Sequence, residues 1–167
     1  MKRMITLLDT MTEQSGKVAA WSVLGLIALV LYDTLARYLF SSGSIALQEL
    51  EWHLHDLLFL LGISYALKHN AHVRVDLFYE KYSEKAKAWV NIAGVLLLII
   101  PFSVFIFYTG MEFAQDAYGC GEMSPNPGGL EYRFIIKSVI SVAFVLVILQ
   151  AFSELLKSIQ FLSEHKQ

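Results

Sequence analysis

The sequence predicts an all-α integral membrane protein, a single membrane domain of four transmembrane helices plus an interfacial amphipathic helix after the second. Three observations predict it. First, of 167 residues 56% are hydrophobic and only 17% charged, with a mean hydropathy of +0.51. Second, the charges gather between long apolar runs, as expected when the solvent for those runs is lipid. Third, the runs are long enough to cross roughly 30 Å of hydrocarbon at about 1.5 Å per helical residue. A net charge of −2 gives no reason to expect a nucleic-acid partner. The single cysteine, Cys120, excludes an intramolecular disulfide and offers no Cys-based metal site.

The first span covers about 18–40. The chain opens Met1-Lys2-Arg3 in the manner of a signal peptide, but Asp9 and Glu13 intervene before the apolar run begins near Val18. No small-residue cleavage site follows that run, so the span reads as an uncleaved anchor. Ser41-Ser42-Gly43-Ser44 breaks it. The second span covers about 45–67, with Glu49, Glu51, His53, His55 and Asp56 in its first half and an apolar second half, Leu57 to Leu67. Eleven apolar residues alone are too short to span, so the polar half enters the membrane or runs along its surface. In the polar stretch that follows, Val75, Phe78, Tyr79 and Tyr82 fall near helical spacing opposite several charges, which predicts an interfacial helix over about 73–82. The third span, about 88–113, carries Pro101 near its middle, where a kink is expected. The connector over 119–129 is dense in turn formers. The fourth span covers about 134–152 and runs on into a polar tail.

Basic residues set the orientation. Lys2, Arg3, Lys17, Lys68, Arg74, Lys81, Lys85, Lys87, Lys157 and Lys166 lie on one side, and only Arg37, Arg133 and Lys137 on the other. The positive-inside rule then puts both termini in the cytoplasm, which an even number of spans requires.

Ionisable residues within spans are costly and face protein or water. Asp33 and Arg37 are four apart on one face of the first span and are expected to pair. Glu49, His53 and Asp56 form a stripe along the second, with Glu49 at the depth of Arg37 if the short turn makes the two helices antiparallel neighbours. Glu112 and Asp116 on the third span lie at the depth of Arg133 and Lys137 on the fourth, inviting pairs across helices. These residues read either as a charge network holding helices or subunits together, or as an ion pathway. A relay needs to continue through the inner half of the membrane, where the second span offers only Ser64 and Tyr65. His53, Glu49 and Asp56 have zinc-ligand chemistry but no enzyme context. His53 and His55 have no counterparts on the other spans, which leaves a b-type cytochrome or redox anchor poorly supported. No phosphate loop, nucleophile motif or metal signature points to an enzyme.

Asp33-Thr-Leu-Ala-Arg37-Tyr38-Leu39-Phe40, Gln48-Glu49-Leu50, Leu61-Gly62, Tyr65-Ala66-Leu67 and His72-Val73-Arg74-Val75-Asp76, with Ser124-Pro125-Asn126-Pro127 ahead of Lys137, occur in this order. This ordered set resembles the DctQ-type small permease subunit of TRAP (tripartite ATP-independent periplasmic) transporters, over roughly 16–155. The run Ile45 to His53 looks like the branch labelled "mannitol/chloroaromatic compound" type. Ala46-Leu47-Gln48-Glu49 stands where many relatives have Trp and two adjacent acids, so substrate does not transfer from better-known members. The resemblance implies a non-catalytic scaffold in the bacterial inner membrane. Its partners would be a large multi-span membrane subunit, which holds the substrate and sodium sites, a periplasmic substrate-binding protein that delivers an organic acid, and membrane lipids. It implies no cofactor bound by this chain. It makes Arg37, Glu49, His72, Arg74 and Asp76 structural or interface residues and turns Ser124 and Pro125 toward the side where the binding protein docks. The alternatives are the redox anchor above and a self-contained small transporter using Glu49 as a proton-coupled carboxylate.

Overall fold

The computed structural model describes residues 2–71 and 82–165. They form four long helices, α1 (Lys2–Phe40), α2 (Ile45–Lys68), α3 (Glu84–Gly119) and α4 (Phe134–Glu164), and no strand occurs among the described residues. The expectations for His72, Arg74 and Asp76, and for an amphipathic helix over 73–82, fall outside the described residues except at Tyr82. The helices α1, α3 and α4 are long and apolar enough to cross a membrane. The 24-residue α2 does not reach that composition, because Glu49, Glu51, His53, His55 and Asp56 dilute its first half.

Two helices outrun the expected spans. The first begins at Lys2 rather than near Val18, and the fourth continues to Glu164 rather than stopping near Phe152. Nothing before Val18 breaks the helix. Thr6 and Thr10 turn their hydroxyls back onto the carbonyls of Lys2 and Thr6, so these polar side chains need no partner outside the helix.

Helix ends follow local chemistry. Asn70 and Gly121 adopt left-handed φ values of 52° and 60°. Just past each, Ala71 N donates to Ala66 O and Glu122 N to Ala117 O, both at 2.9 Å, which closes the last turn of α2 and of α3. At the start of α3 the Ser83 hydroxyl accepts from Ala86 N. Just ahead of Pro101, α3 contains a π-helical turn over Val95–Ile99. Proline cannot donate to the carbonyl four residues back, and the widened turn next to it absorbs the irregularity.

Helix α4 touches α1, α2 and α3, running antiparallel to α1 and α3 and in the same direction as α2. The seams are built from small residues: Ser15, Ala19 and Ser22 on α1, Gly110, Ala114 and Ala117 on α3, and Ser141, Ala143 and Ala151 on α4 are buried. Lipid is as apolar as leucine, so helices in it associate through close backbone approach and polar ties, which small side chains permit. One larger apolar cluster joins three helices: Leu67, Val95, Val147 and Ala151, flanked by Ile63, Ile99, Ile100 and Leu155. Bulky side chains instead point outward, including Trp21, Leu24 and Ile27 on α1 and Leu97, Leu98 and Phe105 on α3.

Gly110 marks the tightest α3–α4 approach. A Cβ there would sit 2.9 Å from Ser141 Oγ and 3.0 Å from Ile140 Cγ2, whereas one on Gly62 meets nothing within 4 Å. Gly110→Leu is expected to destabilise the bundle by about 1–3 kcal/mol, measured as a lower thermal midpoint in detergent. Gly62→Ala should leave that midpoint unchanged or raise it, since alanine is the better helix former.

Candidate functional site

Polar side chains collect at the two ends of the bundle. The loop end carries the Ser41–Ser44 turn and the 120–133 connector, and the terminal end carries both chain termini.

At the loop end the connector folds over the first turn of α2 and clasps Glu49. The Ser124 hydroxyl donates to Glu49 Oε1, Asn126 Nδ2 lies 3.4 Å from the same oxygen, and Leu130 N donates to Oε2 at 2.7 Å. Gly129 is needed beside the carboxylate, because a Cβ there would lie 2.8 Å from Glu49 Oε2. Ser124 N also bonds Leu130 O, at 3.0 Å, tying the two sides of the connector together. Glu49 therefore does not pair with Arg37. The connector brings three donors to it, one of them a backbone N–H that would otherwise lack a partner.

A second acid organises the other half of this end. Glu122, just past α3, pairs with Lys137 on α4 and lies 3.5 Å from Arg133 Nε. Lys137 Nζ also sits 3.8 Å from the centre of the Phe113 ring. The cations thus meet Glu122 rather than Glu112 and Asp116, which are exposed on α3. The sequence signal for Glu122 was weak, since it lies among turn formers and outside any helical period.

Asp33 pairs with Arg37 along α1. The carboxylate is buried and its Oδ1 has no hydrogen-bond partner, while the Arg37 side chain is half exposed. On α2, His53 is half-buried and Asp56 exposed. Pro125 is exposed at the tip of the connector and Ser124 half-buried under it. Among the described residues no three His, Cys, Asp or Glu side chains come together to hold a metal ion, so Glu49, His53 and Asp56 do not form the zinc site their types allow.

The terminal end holds a network that the sequence pattern did not reveal. Gln150, fully buried on α4, accepts from the Thr12 hydroxyl at 2.7 Å and donates to Asp9 Oδ1 at 3.2 Å and Glu154 Oε1 at 2.9 Å. Ser153 Oγ donates to Asp9 Oδ1 at 2.6 Å, and Lys157 Nζ bridges Asp9 at 2.9 Å and Glu154 at 2.8 Å. Alongside, Ser15 and Ser64 hydroxyls meet at 3.2 Å, and Glu13 pairs with Lys68 and with His69 at 3.4 Å. Gly16 lets Tyr65 lie directly on α1, since a Cβ there would fall within the Tyr65 ring. The one advance sign was Gln150, a lone amide at the edge of an apolar run.

These contacts set charge states. Burial alone would raise the Asp9 carboxyl, but the Ser153, Lys157 and Gln150 donors hold it below its usual value. Burial works against the Lys157 ammonium, yet Glu154 and Asp9 raise it above the ordinary lysine value. Between the two ends the buried hydroxyls of Ser22 and Ser141 bond to the backbone carbonyls of Ala19 and Phe107.

A family model described as "Tripartite ATP-independent periplasmic transporters, DctQ component" matches residues 26–161, more than four-fifths of the chain. No curated protein matches the sequence.

Two outcomes test the ties. Glu49→Ala is expected to cost about 1–3 kcal/mol by stranding the Leu130 N–H and Ser124 hydroxyl, and to speed hydrogen exchange at the Leu130 amide. The Asp9 carboxyl is lowered below 3.8, so its contribution is fully present above that pH and is lost as pH falls through the folded value. Thermal melts of wild type and Asp9→Asn should therefore differ near neutrality and converge in acid below pH 3.8.

Proposed function

This chain belongs to the family of the DctQ component of tripartite ATP-independent periplasmic transporters, and from that premise we propose that it is the non-catalytic scaffold subunit of a sodium-coupled importer of an organic acid. The family is a transporter component and not an enzyme family, and the three long apolar helices fit insertion into a membrane. In this reading a large multi-span membrane subunit holds the substrate and sodium sites and packs against this chain. A periplasmic binding protein delivers substrate to the loop end, and both termini are cytoplasmic. The Ile45–His53 run is the ground for the "mannitol/chloroaromatic compound" branch.

One observation carries the scaffold reading. The buried polar clusters tie helix to helix or helix to loop, so their side chains serve packing and not a route for a substrate or ion. A self-contained carrier needs such a route at the membrane midplane. Glu49, the carboxylate such a carrier was expected to use, is already committed to Ser124, Asn126 and Leu130.

Helix α2 serves as the fourth span. Its 24 residues extend about 36 Å at 1.5 Å each, longer than the hydrocarbon. Its polar half also runs beside the most apolar part of α1, where a Cβ built on Gly25 would lie 3.7 Å from Leu54 Cδ1. An amphipathic segment over 73–82 would then lie along the inner surface and widen the membrane footprint.

The expected behaviour follows from the outward bulk of α1 and α3. Purified alone in detergent, the chain should aggregate or elute as a broad distribution. Co-expression with the large membrane subunit should yield a monodisperse complex, read by size-exclusion chromatography with light scattering. Proteoliposomes holding this chain alone should take up no substrate. Uptake by the isolated chain, or a stable monodisperse monomer indifferent to the large subunit, would overturn the scaffold reading.

A further inference from the structure

We propose that the face of α2 formed by Trp52, His55, Asp56 and Phe59 is the surface on which the large membrane subunit docks, through a transmembrane helix presenting a cationic or N–H-donating side chain to Asp56. The inference rests on the scaffold reading above and names the surface that reading leaves open.

The four residues recur at positions i, i+3, i+4 and i+7 and so share one helix face. All four are exposed, Trp52 at 75% and Phe59 at 66%. Further along the same helix, Leu61, Ser64 and Leu67 are buried against the rest of the bundle. An exposed carboxylate is ordinary on a soluble protein, but the depth of this one is not. Asp56 lies seven residues from Glu49, which the loop end clasps, and eight from Ser64, which bonds Ser15 in the terminal-end network. At about 1.5 Å per residue it is roughly 10–12 Å from each end, near the middle of the bundle. The neighbouring contact between Leu54 and the Gly25 position puts the same level within the apolar run of α1. Acids at Asp9, Glu13, Asp33, Glu49 and Glu122 engage side-chain donors of their own chain, while Glu51, Glu112 and Asp116 lie without such ties among the described residues but nearer the loop end than Asp56. Asp56 stands outside those ties and faces outward.

Three occupants can cover such a face. Lipid tails supply no donor and leave a charge at hydrocarbon depth unsolvated, the costliest arrangement. A second copy of this chain meeting it across a two-fold axis sets Asp56 near Asp56, with only His55 and the Trp52 indole of the other copy to answer it. A different helix with a complementary donor satisfies the carboxylate, while Trp52 and Phe59 supply flanking apolar contact. The unanswered carboxylate therefore selects a protein helix over lipid, and the scaffold reading makes that helix the large subunit's.

The test co-expresses the chain with the large membrane subunit. With a benzophenone amino acid at position 55, irradiation should yield an adduct containing the large subunit. An adduct with lipid alone, or with a second copy of this chain, would overturn the proposal. In parallel, Asp56→Lys should reduce the large subunit recovered by affinity purification at least about tenfold, as removal of one partner of a desolvated charge pair does. Asp56→Leu should also reduce recovery, yet keep the membrane expression level and helical circular dichroism of the wild-type chain, since the site is exposed in it. Unchanged recovery in both variants would overturn the docking surface and leave the scaffold reading standing. If the wild-type chain itself recovers no large subunit, both fall.

Discussion

A carboxylate partly withdrawn from water needs donors brought to it, and much of this chain's tertiary structure is how those donors arrive. Glu49 draws the connector after α3 across the start of α2, using Ser124, Asn126 and the Leu130 N–H. Glu122 draws in Arg133 and Lys137 and so sets the entry of α4. Asp9 is reached from α4 by Ser153, Gln150 and Lys157. In each case the donors come from a distant stretch of chain, so satisfying the acid and placing the element are one event. Asp33 is the exception, served by Arg37 one turn along the same helix. It holds no two elements together, and one of its oxygens is left without a donor.

Helix α4 is the hub because it carries both kinds of contact. Toward α3 it presents Ser141 and Ala143, small enough for Gly110 to approach closely. Toward α1 it presents Gln150, whose carbonyl takes Thr12 and whose amide nitrogen serves Asp9 and Glu154. An amide with both ends engaged specifies register as well as adhesion, since sliding α1 by one turn would strand it. This also accounts for the long reach of α1 and α4 beyond the expected spans: the two extensions are stapled to each other.

What could be read from the sequence divides along the same line. The helices were legible because each is a long apolar run closed by local turn chemistry, such as Gly121 after α3 or Ser83 before it. The Asp33–Arg37 pair was legible because its spacing is local. The Glu49 clasp was not, since its donors lie 75 to 81 residues away and no periodic pattern links an acid on one helix to a backbone N–H in a loop. Arg37, placed at the depth of Glu49 by the short turn, pairs with Asp33 instead. The Asp9–Gln150 network spans 141 residues and involves a segment whose polarity suggested a tail. Polar residues before an apolar run look alike whether they face water or a neighbouring helix, and only the tertiary contact separates the cases.

The distribution of bulk completes the argument for a supporting subunit. The buried seams hold mostly alanine, serine and glycine, while tryptophan, leucine and phenylalanine cover the outside of α1 and α3. A chain arranged this way gains its internal specificity from polar ties and leaves most of its large apolar area to whatever surrounds it. Lipid suffices for the purely apolar faces. It does not suffice for α2, where Asp56 and His55 sit between Trp52 and Phe59 on the exposed side. The same helix that fastens the loop end through Glu49 thus turns a charged face outward at mid-depth, and a bundle fixed rigidly at both ends is well suited to hold that face in place for another protein.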